Sequence, residues 1–484
     1  MKNNSTTDKN SLNRLAVKAG LFYVFAQLLV RGITFLVTPF LTRLLTNEQY
    51  NDIRVYESWL LIAVPTLSLC LWKSVDRAKY DMKERYNEYV SSSQTLSFLA
   101  IGAVFTVSLF FKEEIKTICN CGMNDLMFYM AFLYIFAYTA ILFLQRREKQ
   151  MMRYKMSTLV TSLTVIPATL LSLLLIWLGK NAGLSEHLVS LRVIGFYIPH
   201  VLGGAIIAVL IWKQGKKGFS HSYWKYGLLY SLPLIPEAIS IQIMNQADKI
   251  MVTNMIGKQA SSFITLGTTV SFIIWILEDS VWNAWLPWLF EKMSRNETAD
   301  VEKPWTIIMH AFGILSWMLV LISPEIVLVL GGTKYGPTVY LIAPMLCGTL
   351  FRFYSYSYTA VENFHKKTGF VAAATVGTML LNVALNYFCI LRFGYQAAAY
   401  TTAFSYFVLM LVQGWLEYRI TGTIIIPMKK SVLICVAYFT LCCASMTLFS
   451  APFAVRYAVL LVGCAIAAKL LLPKCMGILK TLRK

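Results

Sequence analysis

The sequence predicts an all-α polytopic membrane protein with about 14 transmembrane helices, since it contains about that many apolar runs of spanning length. Of its 484 residues, 57% are hydrophobic and 14% are charged. A helix needs about 20 residues to cross the hydrocarbon core of a bilayer. The polar connections between the runs are short, and their Lys and Arg residues fall mostly on alternate connections.

The helices can be placed in chain order from these runs. Each prediction centres on an apolar stretch and ends where charged or turn-forming residues begin. The predicted spans are residues 19–41, 55–72, 90–111, 126–145, 156–178, 188–212, 226–254, 260–286, 304–330, 337–361, 368–390, 396–417, 431–450 and 457–473.

The distribution of charge predicts the orientation. Short connections that carry Lys and Arg stay on the cytoplasmic side of a membrane. Most of the 44 Lys and Arg residues lie at the two ends of the chain and on the connections of that same side. We therefore expect both termini in the cytoplasm, with residues 1–18 as a polar tail. The first apolar run has no small-residue cleavage pattern, which predicts a membrane helix and not a signal peptide.

The net charge of +20 and the sequence pI of about 9.4 do not indicate a nucleic-acid partner. The basic residues are divided among short loops, and no basic domain is large enough to hold a duplex. These basic residues are better interpreted as signals that set the orientation of the helices in the membrane, with some attraction to anionic lipid headgroups. Most of the ten cysteines lie in apolar runs, where Cys behaves as a small hydrophobe. Cys119 and Cys121 fall in a predicted outer loop, and no His or CxxC pair nearby supports a metal or redox role.

No connection is long enough to fold as a separate domain. The longest predicted loops cover residues 73–89 and 287–303, both on the cytoplasmic side. Membrane glycosyltransferases and polymerases usually need a larger extramembrane segment that holds donor and acceptor, and no DxD cluster occurs. We therefore expect a protein that is not an enzyme, with its working site inside the helical bundle.

Four predicted helices carry a stripe of polar residues at helical spacing. Ionisable groups inside a bundle are costly in hydrocarbon and usually face a cavity or a partner. Residues three, four and seven positions apart share one face of a helix. The stripes are Gln27, Arg31, Thr34 and Thr38 in helix 1; Gln242, Asn245, Lys249 and Thr253, with Asp248 adjacent, in helix 7; Arg352, Ser355, Thr359 and Glu362 in helix 10; and Thr375, Thr378, Asn382 and Asn386 in helix 11.

Each stripe also has a structural interpretation. Ser, Thr, Asn and Gln commonly form hydrogen bonds between packed membrane helices, and this suits helix 11 best. Arg31 can form an ion pair with Glu57 or Asp248, although a wet cavity holds a guanidinium at lower cost than a dry pair. Lys249 can pair with Asp248. Arg192 and the pair Glu278-Asp279 are weaker site candidates. Their charged groups can extend to the membrane interface or form an ion pair.

A pair of prolines and a weak internal repeat indicate how the predicted helices are organised. The segment Leu232-Pro-Leu-Ile-Pro236 precedes Glu237 and predicts either a hinge or a static kink. Alignment of Thr42 with Thr253 superposes two helix–loop–helix patterns at an offset of 211 residues. This spacing fits two six-helix lobes followed by two extra helices.

Several short motifs occur along the chain in a definite order. They are Thr38-Pro-Phe-Leu-Thr-Arg-Leu-Leu-Thr-Asn-Glu-Gln-Tyr50, the proline pair with Asp248-Lys249, Gly331-Gly-Thr-Lys-Tyr335, Leu381-Asn-Val-Ala-Leu-Asn386, Phe393-Gly-Tyr-Gln-Ala-Ala-Ala-Tyr400 and Ser405-Tyr406. These motifs resemble those of the bacterial polysaccharide flippases of the Wzx type, which belong to the multidrug/oligosaccharidyl-lipid/polysaccharide exporter superfamily. Asn51 stands where that family usually has Gly.

The resemblance implies a fold of two pseudo-symmetric six-helix lobes around a central cavity, with two C-terminal helices. We expect a tail at 1–18, an N-terminal lobe at 19–217, a C-terminal lobe at 218–418 and the last two helices with a tail at 419–484. The implied activity is translocation of a polyprenyl-diphosphate-linked oligosaccharide, of the undecaprenyl type, across a bacterial cytoplasmic membrane. Possible further partners are a polysaccharide polymerase and chain-length machinery.

Arg binds a diphosphate through two parallel hydrogen bonds, and amides suit sugar hydroxyls. We therefore predict substrate contacts at Arg31, Arg54, Lys249, Arg352, Gln27, Gln242 and Asn245. Asp248, Glu237 and Glu57 are predicted to pair with these cations or to bind a coupling H⁺ or Na⁺, with no other cofactor. A multidrug/cation antiporter of the same superfamily and, less favoured, a membrane glycosyltransferase or polymerase are the alternatives.

Overall fold

A computed structural model describes residues 32–33, 35–151, 153–365, 367–422 and 425–482, and for the last helix its side chains up to residue 465 and those of 468 and 469. These described residues are almost entirely helical and contain no strand. The helices are α1 (Phe35–Leu44), α2 (Asn47–Leu67), α3 (Leu71–Met82), α4 (Tyr86–Ser108), α5 (Lys112–Cys119), α6 (Asp125–Gln150), α7 (Tyr154–Asn181), α8 (Leu188–Gly215), α9 (His221–Ser231), α10 (Ile235–Met255), α11 (Lys258–Ser294), α12 (Glu302–Leu321), α13 (Ser323–Gly331), α14 (Val339–Phe364), α15 (Thr368–Phe393), α16 (Ala397–Thr421), α17 (Met428–Ser445) and α18 (Phe453–Leu482).

The predicted all-α polytopic fold is confirmed. Within the described part of the chain, ten helical segments are long and apolar enough to cross a membrane. Helices α2, α14 and α18 correspond to the predicted second, tenth and fourteenth spans, and α1 covers only the end of the predicted first span. Residues 19–31 and 34 of that first span lie outside the described residues. The described helices follow the other predicted spans in order.

The chain divides into two compact units, which we call the N-unit (Met1–Gln242) and the C-unit (Ile243–Lys484). In the N-unit, α8 packs against α4, α6 and α7. In the C-unit, α14 packs against α11, α16 and α17, and α15 packs against α16. The division falls within α10, whereas the predicted lobe boundary was at residues 217 and 218. The predicted lobes themselves stay a prediction.

Two predicted spans are each built from two helices. In the seventh span, α9 ends at Ser231, a single 3-10 turn covers Leu232–Leu234, and α10 begins at Ile235. In the ninth, α12 ends at Leu321 and α13 begins at Ser323, with Pro324 in its first turn. Proline lacks the N–H that continues a helix but is tolerated in the first turn, so each break coincides with proline.

Parts of both long predicted loops are helical, so the loop predictions were wrong there. The segment predicted as the first loop contains α3, whose Leu71, Val75 and Ala78 are fully buried at helical spacing. Its charged residues lie elsewhere on the helix, and the average polarity of the segment concealed this amphipathic pattern. At the second loop, α11 continues to Ser294.

The connection between α4 and α6 is also ordered. Lys112 Nζ donates to Asp125 Oδ2 at 2.7 Å, and Lys116 also bonds Asp125. These hydrogen bonds raise the pKa of both lysines. Cys119 and Cys121 are buried, and Trp59 Nε1 donates to the carbonyl oxygen of Cys119 at 3.2 Å. Among the described residues, no group of three or more His, Cys, Asp or Glu side chains is placed to bind a metal.

The weak internal repeat has a common local geometry at its two aligned threonines. Thr42 Oγ1 donates to the carbonyl oxygen of Thr38 at 3.0 Å near the end of α1. Thr253 Oγ1 donates to the carbonyl oxygen of Lys249 at 2.7 Å near the end of α10. Both threonines are buried, and each is followed by a short connection to the next helix. The two aligned threonines thus share one local hydrogen bond near a helix end, and the repeat stays a prediction.

Helices α6 and α8 approach each other closely at Gly204. A Cβ atom at this position would lie 2.5 Å from both Cα and the carbonyl oxygen of Ala137. Small residues at membrane helix interfaces allow this backbone approach. We predict that Gly204→Ala destabilises the folded protein by about 1–3 kcal/mol, because the two backbones must separate.

Thermal unfolding of the purified protein in detergent measures this effect. Gly102→Ala is the matched control, because its Cβ would meet only the ring edge of Phe136 at 3.9 Å. We expect the control to be neutral or slightly stabilising, since Ala has a higher helix propensity than Gly. Equal melting temperatures for the two variants would contradict the close approach.

Candidate functional site

The predicted site residues divide between the two units. Gln27 and Arg31 lie outside the described residues. Arg54 and Glu57 on α2 and Glu237 and Gln242 on α10 belong to the N-unit, whereas Asn245, Asp248 and Lys249 on α10 and Arg352 on α14 belong to the C-unit.

Arg54 and Glu57 form an ion pair within α2. Thr46 caps this helix, and its side chain and that of Gln49 form a capping box that fixes where the helix begins. Three residues separate Arg54 from Glu57, which places them one above the other on one face. Arg54 Nη1 lies 2.8 Å from Glu57 Oε2, and the guanidinium lies 5.2 Å from the centre of the Tyr50 ring.

A second arginine reaches the same carboxylate. Arg192 on α8 is only 4% exposed, and its Nη2 lies 3.7 Å from Glu57 Oε1. Its guanidinium carbon also lies 4.1 Å from the centre of the Phe196 ring. We call Arg54, Glu57 and Arg192 the N-unit charge cluster. The sequence had given Arg192 only as a weaker candidate, and α8 brings it to a predicted site residue.

The C-unit has its own buried ion pair. Arg352 on α14 is 9% exposed and Glu278 on α11 is 1% exposed. Arg352 Nη2 lies 3.5 Å from Glu278 Oε2. The guanidinium also lies 4.7 Å from the centre of the Trp275 ring and 5.8 Å from that of Tyr356. Aromatic faces attract a desolvated cation, so this pair is held in a mixed ionic and aromatic environment.

Asp248 lies in a hydrogen-bonded group that joins three helices. Thr402 Oγ1 on α16 donates to its carboxylate at 2.8 Å, and Asn386 Nδ2 on α15 donates to Oδ1 at 2.8 Å. Asn382 Nδ2 donates to Thr402 Oγ1 at 3.0 Å, and Thr401 Oγ1 donates to Asn386 Oδ1. We call Asp248, Asn382, Asn386, Thr401 and Thr402 the Asp248 network. It presents one carboxylate with several amide and hydroxyl oxygens.

The polar stripe of α15 therefore bonds neighbouring helices, as the structural interpretation of that stripe predicted. This holds for Asn382 and Asn386, which bond α16 and α10. Thr375 and Thr378 instead donate to carbonyl oxygens of their own helix. The stripe thus has two members that join helices and two that do not.

Two residues of the predicted stripe on α10, Lys249 and Asn245, also have partners. Lys249 Nζ donates to Gln246 Oε1 at 3.1 Å. Asn245 Oδ1 accepts from the Tyr406 hydroxyl at 2.9 Å. Glu237 is half-buried near the start of the helix. Asn245 is thus joined to α16, while the bond from Lys249 to Gln246 stays within α10.

A further buried acidic pair was not among the predicted site residues. Glu362 on α14 and Glu417 on α16 are 0% and 2% exposed. With the Gln413 side-chain amide oriented so that its nitrogen faces Glu362, that nitrogen donates to both carboxylate oxygens at 2.6 Å. The backbone N–H of Ile425 donates to Glu417 at 3.3 Å. Sequence spacing placed Glu362 on one stripe with Arg352, but each has a different partner. Glu417 lies at the end of the predicted span 396–417, and an ionisable residue in an apolar span was the signal that the sequence offered for it.

The fold defines a class of protein, the polytopic helical membrane proteins, here with several charged groups buried among the helices. The whole chain resembles a solved structure of the lipid II flippase MurJ in an inward closed conformation, with a TM-score of 0.69 and 16% identity over 93% of this chain and 99% of that one. It also resembles an inward-facing multidrug transporter of the MATE family, with a TM-score of 0.59 and 11% identity over 83% and 95% of the two chains. These likenesses show a shared fold.

The family follows from sequence. The model of a family described as polysaccharide biosynthesis protein matches residues 16–293. A protein of the Lsg locus of Haemophilus influenzae is 22% identical over 347 residues, which cover 68% of this chain and 81% of that protein. An uncharacterised membrane protein of the same organism is 23% identical over 346 residues, covering 68% and 80%. The chain belongs to the polysaccharide biosynthesis protein family, which confirms the predicted resemblance.

Proposed function

We propose that this protein is a flippase that moves a polyprenyl-diphosphate-linked oligosaccharide repeat unit from the inner to the outer leaflet of a bacterial cytoplasmic membrane. Family membership and the likeness to a lipid II flippase support a transporter of lipid-linked sugars. The observation that carries the proposal is a surplus of guanidinium groups over carboxylates, with Arg192 buried and Arg54 half-buried. The N-unit charge cluster has two arginines for one carboxylate. A positive surplus in a low-dielectric bundle favours an anionic substrate.

The diphosphate is the part of this substrate that needs such groups. Its compact negative charge suits the paired N–H groups of arginine, while the lipid tail can remain in the bilayer. Amide side chains suit the hydroxyl groups of the sugar. We assign the diphosphate contacts to Arg31, Arg54, Lys249 and Arg352, and sugar contacts to Gln27, Gln242 and Asn245.

We assign ion coupling to Asp248. The Asp248 network offers one carboxylate, amide oxygens and hydroxyl oxygens, and such hard donors suit Na⁺ or a proton on the carboxylate. Glu57 is a weaker candidate, because two arginines already contact it. Glu237 remains a possible partner of the substrate-binding cations. No other cofactor is proposed.

The proposed setting is the inner membrane, with both termini in the cytoplasm. Transport by alternating access would deliver the repeat unit for synthesis of a surface polymer such as O-antigen, capsule or exopolysaccharide. A polysaccharide polymerase and its chain-length machinery would then receive it.

An antiporter for cationic drugs is the second candidate, because the fold also resembles a multidrug transporter. Cation carriers need acidic sites, whereas the N-unit charge cluster has a positive surplus and Glu278 is paired with Arg352. A glycosyltransferase or polymerase is less favoured still, since the described connections between helices are short. The arrangement of charge therefore favours the flippase.

Transport in liposomes tests the assignment of Arg31. A fluorescent polyprenyl-diphosphate oligosaccharide is placed in one leaflet, and its appearance in the other is followed with a membrane-impermeant quencher. We expect Arg31→Ala to slow transport by about ten- to a hundredfold, because a charge-assisted hydrogen bond contributes about 1.5–3 kcal/mol.

Arg31→Lys should retain part of the rate, since it keeps the charge but loses the paired N–H geometry. The native chain and both variants must show the same size-exclusion profile for a valid comparison. An unchanged rate in folded Arg31→Ala would contradict the assignment of this residue.

A further inference from the structure

The N-unit charge cluster holds more positive charge than its own carboxylate can neutralise. Two guanidinium groups, from Arg54 and Arg192, share the single carboxylate of Glu57. Arg54 takes the short contact at 2.8 Å, and Arg192 is left with a longer one at 3.7 Å. Burial makes this imbalance costly, because water does not screen the second positive charge.

Arg192 also has hydrogen-bond donors that no described residue satisfies. Its Nε and Nη1 atoms are buried and have no hydrogen-bond partner among the described residues, and the same is true of Arg54 Nε. The Phe196 ring lies against the guanidinium and offers attraction to its charge, but it fills none of these in-plane donor positions. A buried donor without a partner costs about 1–3 kcal/mol. Two such atoms on one side chain therefore point to a ligand.

The contrast with Arg147 in the same unit supports this interpretation. Arg147 is equally buried at 5% exposure. Its Nε and Nη2 donate to Glu148 Oε1 at 3.0 and 2.6 Å, and its Nη1 donates to Gln214. Arg147 is thus saturated by its own unit, whereas Arg192 is not.

We propose that Arg192, with Arg54, forms an anion site that binds a phosphate or diphosphate group, and that Glu57 is its internal competitor. An anion would accept from the open N–H groups of Arg192 and neutralise the surplus charge. Glu57 contacts both guanidinium groups and would compete with the anion for them. This inference rests on the proposed function, to which it adds a substrate contact on α8.

The position of the N-unit charge cluster along α2 and α8 indicates the stage of transport at which it would act. Arg54 is in the second turn of α2 and Arg192 in the second turn of α8. Both helices are predicted to begin at the outer face of the membrane. The site would therefore receive the diphosphate late in its passage. The return of Glu57 to both arginines would then favour release.

Binding measurements on the purified full chain in nanodiscs test this inference. The probes are polyprenyl diphosphate without sugar, inorganic pyrophosphate and phosphatidylglycerol, each titrated by calorimetry. We expect Arg192→Gln to weaken polyprenyl diphosphate binding by about ten- to a hundredfold, and Arg192→Lys by less. We expect Glu57→Gln to strengthen it by about three- to tenfold, because the competing carboxylate is lost. Arg147→Lys is the control and should leave binding unchanged.

The two substitutions are expected to change binding in opposite directions, and this distinguishes a ligand site from a structural ion pair. A purely structural role predicts that Glu57→Gln and Arg192→Gln weaken binding together, and that result would overturn the inference. If Arg192→Gln does not fold, Arg192→Lys and Glu57→Gln carry the same test. Unchanged binding in the folded Arg192 variants would also overturn it.

The three probes separate this inference from the proposed function. Binding of the native chain to polyprenyl diphosphate, with no change in the Arg192 variants, leaves the flippase intact and contradicts the anion site. Binding of pyrophosphate or phosphatidylglycerol alone, with loss in Arg192→Gln, supports the anion site and contradicts the lipid-linked sugar substrate. No binding of any probe contradicts both.

Discussion

Transport by the Asp248→Ala variant is expected to fall to the rate of protein-free liposomes when an ion gradient is the only driving force. Thr402 and Asn386 both donate to this carboxylate, so its removal takes away the charge at the centre of the Asp248 network. Without that charge, the remaining amide and hydroxyl oxygens bind a cation weakly. Binding of the coupling ion and the transport that depends on it should be lost together.

Asp248→Asn separates charge from hydrogen bonding. The amide oxygen can still accept from Thr402, so the helices should stay packed while coupling is lost. Transport is measured with an imposed Na⁺ gradient and, separately, with an imposed pH gradient, to identify the ion. Thr378→Ala is the control, since its hydroxyl bonds only the carbonyl oxygen of Ala374 in its own helix. Gradient-driven transport by Asp248→Asn at the native rate would contradict the coupling assignment.

The Glu278→Ala variant is expected to lose about 3–5 kcal/mol of stability, because it leaves Arg352 as a buried charge without its carboxylate. Glu278 is 1% exposed, so water cannot readily replace the lost partner. The aromatic rings of Trp275 and Tyr356 compensate for only part of this cost. Unfolding in a detergent and denaturant series measures the effect.

A double-mutant cycle tests whether the pair is the cause. Arg352→Met combined with Glu278→Leu removes both charges, and we expect it to be more stable than either single variant. Its transport should still be impaired, because Arg352 is an assigned substrate contact. Additive losses in the cycle would show that the two side chains do not interact, contrary to the structure.

The helical architecture could be predicted from the sequence because a bilayer imposes one dominant length on apolar segments. Breaks within spans were harder to predict. Pro233 and Pro236 marked the break between α9 and α10 correctly as a point where a helix is interrupted. Helix α3 was missed, because polar residues outnumber its buried Leu71, Val75 and Ala78, and only their spacing distinguishes it from a loop.

The site residues could be predicted only where their partners are close in sequence or in the same stripe. Arg54 and Glu57 are three residues apart, so their pairing follows from helix geometry. Arg192 is 135 positions from Glu57, and no periodicity relates α2 to α8. Likewise, Asp248 was recognised as important, but its partners Asn386 and Thr402 lie on helices whose packing the sequence does not specify.

The presence of buried charge was therefore predictable from the sequence, whereas its pairing between different helices was not. An ionisable residue in an apolar span needs a partner, and the sequence identifies such residues directly. Helix packing decides which partner it receives. This explains why Glu362 bonds Gln413 on α16 and Arg352 pairs with Glu278 on α11, although both Glu362 and Arg352 lie on one stripe of α14.

The central claim is that the substrate is an anionic lipid-linked sugar. The most direct measurement compares native protein in liposomes loaded with a fluorescent polyprenyl-diphosphate oligosaccharide or with a cationic dye. We predict movement of the oligosaccharide lipid between leaflets at a rate well above that of protein-free liposomes, and no export of the dye. Export of the dye without movement of the lipid would contradict the claim and identify the protein as a multidrug antiporter.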